Sequence, residues 1–313
     1  MKSLFLETPM PVSARKIGYA DVLLLHGSCF TEHIGNRLQQ ARFQALTNLF
    51  GTVFNPVVQC EQLLRAANEA YFGPDDLLFR DDQWLSWMHH SKFSATEPEM
   101  LLRQLNQQLE ETRQFLQNAT VLVLTFGTAR SYWHLERDQM VANCHKMPAA
   151  QFKTGFSSPE AIAQSIFRLE QKLRAINPKL NILFTVSPVR YHSQDPLENS
   201  VGKGNIFAAL SLVREQLNPF WYFPAYEIVT DQLRDYRFFA DDLKHPSENA
   251  VDYVWQQFKN WALQPIEAVA LAEQLQQRKA HRPLNPQSKS HQQFELETEA
   301  LERRWEALIK SSS

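Results

Sequence analysis

Cysteine is scarce in this 313-residue chain: Cys29, Cys60 and Cys144 are the only three. An odd count with no Cys-x-x-Cys pair argues against a disulfide framework and against a cysteine zinc centre. It fits a reducing compartment, so the cytoplasm is the expected location. Long apolar runs are missing too. Residues 22–25 form a run far short of the roughly 20 needed to span a bilayer, and no membrane partner is expected. The amino terminus lacks the basic start, apolar centre and small-residue cleavage site of a signal peptide. There is no basic excess, since 32 Lys and Arg face 34 Asp and Glu, so nucleic acid is not an expected partner. With nine glycines the chain has no Gly-rich phosphate cradle, and it carries no metal-ligand spacing; neither cofactor nor metal is expected. What remains is 44% hydrophobic, enough to build a core without covalent staples.

Over the first ~260 residues, strand-like and helix-like segments alternate. Residues 22–25, 121–125 and 182–186 read as strands covered on both faces. Phe30, Ile34, Leu38 and Ala41 recur at helical spacing behind the first. Thr96 with Glu99 predicts a capping box, followed by a face of Leu101, Leu102, Leu105 and Leu109. Ser157 with Glu160, and Pro159 between them, predicts the next helix start, with Ile162, Ile166, Leu169 and Leu173 buried. Ile206, Leu210, Val213 and Leu217 mark another helix, residues 220–228 an aromatic strand, and Val251, Val254, Trp255 and Phe258 a helix starting near Ser247. This pattern predicts an α/β fold with a mostly parallel sheet between helical layers, its ligands beyond the carboxyl ends of the strands. Residues 77–93 and 131–145 interrupt it as hairpin-like insertions. Two units are expected: an α/β domain over 1–264 and a helical extension over 265–313 with a sparse stripe of Leu301, Trp305 and Leu308. The extension either folds back on the core or offers a contact to a partner or a second copy.

Two stretches carry chemistry. Residues 22–25 run into His26-Gly27-Ser28-Cys29-Phe30, where a helix begins. A serine at such a turn sits at the sheet's carboxyl edge beside a helix amino terminus, whose N–H groups favour developing negative charge. Alternatively Ser28 only caps the helix. Cys29 beside it is an alternative nucleophile whose thiolate the same helix end favours, but one step into the helix it is expected to point away from the second stretch, Asp242-Leu243-Lys244-His245. There a carboxylate and an imidazole three residues apart meet within one turn, as a general base requires; a solvated acidic loop is the plainer alternative.

Taken together, Gly27-Ser28-Cys29-Phe30, residues 51–56 (Gly-Thr-Val-Phe-Asn-Pro), Phe126-Gly127-Thr128-Ala129, Asn143-Cys144-His145-Lys146 and residues 242–247 resemble the GSCFA family of the SGNH hydrolase-like (GDSL-type esterase) superfamily, with Thr31 where the family name has Ala. The resemblance spans roughly residues 1–260. It implies a flavodoxin-like three-layer α/β/α fold and ester chemistry, with Ser28 as nucleophile, His245 as general base and acid, and Asp242 orienting His245. The superfamily's oxyanion pattern, a Gly followed two residues later by Asn, would need Asn at position 129, where this chain has Ala129. Gly51, Asn55, Thr128 and Asn143 are the candidate replacements. Asn55 before Pro56 is equally a helix cap, and Asn143 equally a turn residue. His90 and His145 are candidate substrate contacts, and Trp84, Trp87 and Phe93 stack on a sugar or pack the insertion. The expected function is a serine esterase acting on an ester, an O-acetyl group above all, of a carbohydrate or small metabolite. An O-acyltransferase with the same site and a non-catalytic binding or scaffold module are the alternatives.

Overall fold

The computed structural model describes residues 6–191 and 195–311. Its central sheet has five parallel strands: β1 (Val22–Gly27), β2 (Gln44–Thr47), β3 (Val121–Phe126), β4 (Asn181–Val186) and β5 (Trp221–Phe223). Their spatial order is β5-β4-β3-β1-β2, with Leu24 of β1 opposite Leu46 of β2 and Leu122 of β3. This is the flavodoxin-like order, in which the chain changes direction of winding between β1 and β3.

The helices are α1 (Cys29–Gln40), α2 (Pro56–Ala67), α3 (Pro98–Asn118), α4 (Pro159–Ile176), α5 (Pro196–Gln216), α6 (Glu248–Ala262), α7 (Ile266–Ala280) and α8 (Lys289–Lys310). Alternate strand residues feed two cores. Leu24, Leu122, Leu124 and Phe184 pack under α2 to α5, whereas Leu23, Leu25, Val123 and Leu183 pack under α1 and α6. The expected three layers are therefore present.

Local differences from the sequence reading have local causes. Strand β2 escapes a search for apolar runs because it is short and its Gln44 is exposed. The predicted capping box at Thr96 does not form; α3 opens on Pro98 after Glu97, whose side chain caps nothing, as the fixed φ of proline allows. At α4 the cap is Ser158, accepting from the Ala161 amide, since the hydroxyl of Ser157 is taken by Asn55. The aromatic strand stops at Phe223, because Pro224 has no amide to give and the chain continues as the helical turns Ala225–Glu227 and Ile228–Gln232.

Both insertions are small antiparallel sheets, Leu77–Arg80 with Gln83–Ser86 and Ser94–Ala95, and Arg130–His134 with Gln139–Met140 and Phe152–Phe156. They share a minor core of Leu78, Trp87, Val141 and Phe152. Trp87 is buried there and Phe93 in the main core, so both pack, while Trp84 is half-buried against the main core. The carboxyl-terminal helices fold back on the α/β body. Helix α7 buries Ala268, Val269, Ala272 and Leu275, and its Glu273 accepts from Trp255 Nε1 and Lys259 Nζ. Helix α8 is held by Arg42, which pairs with Glu302 through two bonds of 2.5 Å and lies 4.7 Å over the Trp305 ring.

Candidate active site

The turn from β1 into α1 is dictated by Gly27. Its φ of 143° lies where side chains are disfavoured, and a Cβ would stand 2.2 Å from the Thr125 carbonyl oxygen. Ser28 follows in extended conformation, its amide donating to that same oxygen at 3.1 Å. It occupies the N-cap position without capping: its Oγ bonds nothing among the described residues, and the residue is 1% exposed. Helix α1 therefore starts without a cap from Ser28. The amides of Cys29 and Phe30 are placed to donate to the Cys29 sulfur. Burial nevertheless outweighs them and pushes the thiol pKa up, so the resting group is a thiol.

The second stretch folds as its spacing predicts. Leu243, at φ 56°, reverses the chain, and Asp242 Oδ1 accepts the amides of Lys244 and His245, each at 2.9 Å. Asp242 Oδ2 faces His245 Nδ1 at 2.5 Å. The hydrogen bond from the imidazole, followed by those two amides, holds the carboxyl far below the usual carboxylate range. The contact turns Nε2 outward, where it has no partner among the described residues, on a ring whose side chain is 51% exposed. Ser247 is a cap, accepting from the Ala250 amide at the start of α6.

A cleft of about 450 Å³ joins these parts beyond the carboxyl ends of β1, β3 and β4. Cys29, Gly127, Thr128 and Ser187 line it just after the strands, together with Phe54, Arg190, Tyr191, Asp242 and His245. The cleft thus lies at the switch between β1 and β3, where the fold rule puts ligands. A smaller hollow of about 120 Å³ at the start of β4 is lined by no cysteine, serine or histidine.

Of the expected site residues, Asp242, His245 and Thr128 line the cleft; Ser28 does not, although its neighbour Cys29, expected to point away, does. The other candidates are committed elsewhere. The Gly51 amide donates to the Asn48 carbonyl within a turn. Asn55 caps α2, taking the Val57 amide on Oδ1 at 2.8 Å, and its Nδ2 donates to the Ala129 and Arg130 carbonyls and to Ser157 Oγ. Asn143 bonds Ser91 Oγ and the His145 amide, a turn residue in fact. His145 is buried with Nε2 on the Ser86 carbonyl, and burial lowers its pKa. His90 receives the Lys92 amide on Nδ1 and packs beside Gly51. Ala129 is fully buried, its amide on the Gly202 carbonyl. The amides of Gly127 and Thr128 both donate to the Phe54 carbonyl, at 2.8 and 3.1 Å. The amides of Cys29 and Phe30, which open α1, lie beside the Cys29 sulfur at this wall.

Lys203 is the feature the sequence reading passed over. Its side chain runs under the cleft, 3% exposed, and Nζ donates to the Gly127 and Ser187 carbonyls, both at 2.5 Å. Burial lowers its pKa to about 7, and its charge reaches Cys29. The signal was present: Lys203 stands in line with Ile206, Leu210 and Val213 on the apolar face of α5, where an unpaired charge is not placed without a partner.

No curated protein matches the chain in sequence. Among solved structures it is similar to a family two carbohydrate esterase from Clostridium thermocellum in complex with cellohexaose, at 12% identity and a TM-score of 0.38 over 82% of this chain and 66% of that one. It is equally similar to an acetyl xylan esterase from the rumen bacterium Butyrivibrio proteoclasticus, at 12% identity and 0.38 over 80% and 64%. The chain therefore spans a little under two thirds of the length of these neighbours. The model of the GSCFA family matches residues 22–258, which include the β1 turn, both loops that meet in the cleft and the Asp242–His245 pair. The chain belongs to the GSCFA family.

Proposed function

We propose that the chain hydrolyses an acyl ester in this cleft, an O-acetyl group on a carbohydrate or a small metabolite. The observation that carries the reading is the Asp242–His245 pair at 2.5 Å, both residues lining the same cleft as Cys29 of the β1–α1 turn. Asp242 fixes the tautomer that leaves Nε2 as proton acceptor and stabilises the imidazolium formed on proton transfer. The nucleophile comes from the β1–α1 turn. Negative charge developing on the carbonyl oxygen is met by the opening amides of α1, a placement that favours anions. Phe54 and Tyr191 give the cleft aromatic sides suited to a sugar ring.

The test is turnover of an aryl acetate and of acetylated oligosaccharides by the purified chain. His245→Ala is expected to lower kcat/KM at least ~10³-fold while the protein stays folded. Turnover that persists in His245→Ala overturns the reading. Acyl passing to an added glycan in preference to water would instead identify an O-acyltransferase using the same groups.

A further inference from the structure

We propose, on the ester reading above, that Cys29 rather than Ser28 is the nucleophile of this cleft. A nucleophile must touch its substrate. Ser28 is 1% exposed and contributes nothing to the cleft wall, whereas Cys29 lines that wall together with His245 and Asp242. The difference is one residue at the strand-to-helix junction: Ser28 ends the extended segment and points inward, and Cys29 is the first helical residue. Cys29 is no isolated thiol. It shares the cleft with an oriented imidazole, it has the amides of Phe30 and itself beside its sulfur, and Lys203 holds the carbonyls of Gly127 and Ser187 in the same wall. The other two cysteines have no such company, since Cys60 is fully buried in the main core and Cys144 lies against the minor core.

The chemistry closes without a further reagent. The sulfur bonds the acyl carbon as its proton passes to His245 Nε2. The ester C–O bond then breaks, and the departing alkoxide takes that proton from the imidazolium, leaving a thioester on Cys29. Water next gives a proton to Nε2 while its oxygen bonds the acyl carbon; the C–S bond breaks, the free acid leaves, and the sulfur recovers its proton from His245. Because the resting group is a thiol held up by burial, the base is required, and a preformed thiolate is not part of the scheme.

The experiment is an acid quench of the full chain mixed with an aryl acetate, followed by intact-mass and peptide mapping, with turnover measured in parallel. The expected result is an acetyl adduct on the peptide containing Cys29, removed by neutral hydroxylamine as a thioester is. Cys29→Ala should lose at least ~10³-fold in kcat/KM, and Ser28→Ala should still form the thioester. Alkylation of wild-type Cys29 by iodoacetamide should abolish turnover, which keeps the test decisive if a variant folds badly. An adduct on Ser28 that resists hydroxylamine, with Cys29→Ala still active and His245→Ala inactive, overturns the thiol assignment and leaves the esterase reading standing. A wild-type chain that neither turns over nor becomes acylated overturns both.

Discussion

Lys203 allows a prediction whose sign and size follow from the structure. The lysine is buried beneath the cleft and ties the chain just after β3 to the chain just after β4 through the Gly127 and Ser187 carbonyls. Its pKa is about 7 in the folded chain against an ordinary 10.5. Below pH 7 folded and unfolded chains both hold the proton, and the folded one bears the full cost of a buried charge. Between about 7 and 10.5 the unfolded chain binds a proton that the folded chain has released, so stability rises with pH. Above 10.5 neither binds it, and the gain is complete. Across the whole window the linkage amounts to something on the order of 5 kcal/mol, and from pH 7.5 to 9.5 to about 2 kcal/mol. Lys203→Met removes the titrating group and leaves two buried carbonyls without a donor, a loss of ~1–3 kcal/mol each. The variant should therefore be clearly weaker than the wild type at pH 9.5 and approach it as the pH falls to 7. Urea unfolding of both proteins at several pH values measures this gap directly, and other titrating groups cancel in the difference. Two stability curves that run parallel between pH 7 and 9.5 would refute the reasoning: they would mean that the folded chain keeps the proton.

Three further outcomes are expected. Asp242→Asn should lower kcat on an aryl acetate by ~10²–10⁴-fold through loss of the tautomer and imidazolium support, with little change in melting temperature because the carboxylate is solvent-exposed. Asn55→Ala should destabilise the chain by about 3 kcal/mol in urea unfolding, about 1 from the lost α2 cap and the rest from the Ala129 and Arg130 carbonyls it serves. Trp305→Ala should loosen α8 from Arg42 and Tyr19, read as faster proteolysis within residues 289–310 at undiminished esterase turnover.

What was legible in the sequence divides by how far apart the determining residues lie. The strands β1, β3 and β4 announce themselves, since a segment covered on both faces must be apolar throughout. The Asp242–His245 contact is equally readable, because both ends of the bond belong to one turn and the backbone amides inside that turn complete it. Asn55 was ambiguous between cap and oxyanion donor. The structure gives it to the cap and to the carbonyls across the loop, as expected of a side chain with both donor and acceptor beside a Pro-led helix.

Which residue of the β1–α1 turn lines the cleft was not readable in this way. Adjacent residues at a strand-to-helix junction differ by roughly a quarter-turn or more of side-chain direction. Which of them looks into the cleft depends on where Gly27 breaks the strand against Thr125, 98 residues further along the chain, and on a loop more than 200 residues away. The motif names the pair Ser28-Cys29 but does not orient it. The same dependence hides Lys203, whose partners are carbonyls at the ends of two other elements. Yet Lys203 also shows how such a residue is found: a charge set into an apolar helical stripe violates local pattern, and a folded chain tolerates that violation only where distant polar groups meet it. Applied to α5, that test singles out Lys203, and the structure then supplies the polar groups that meet it, at the ends of β3 and β4.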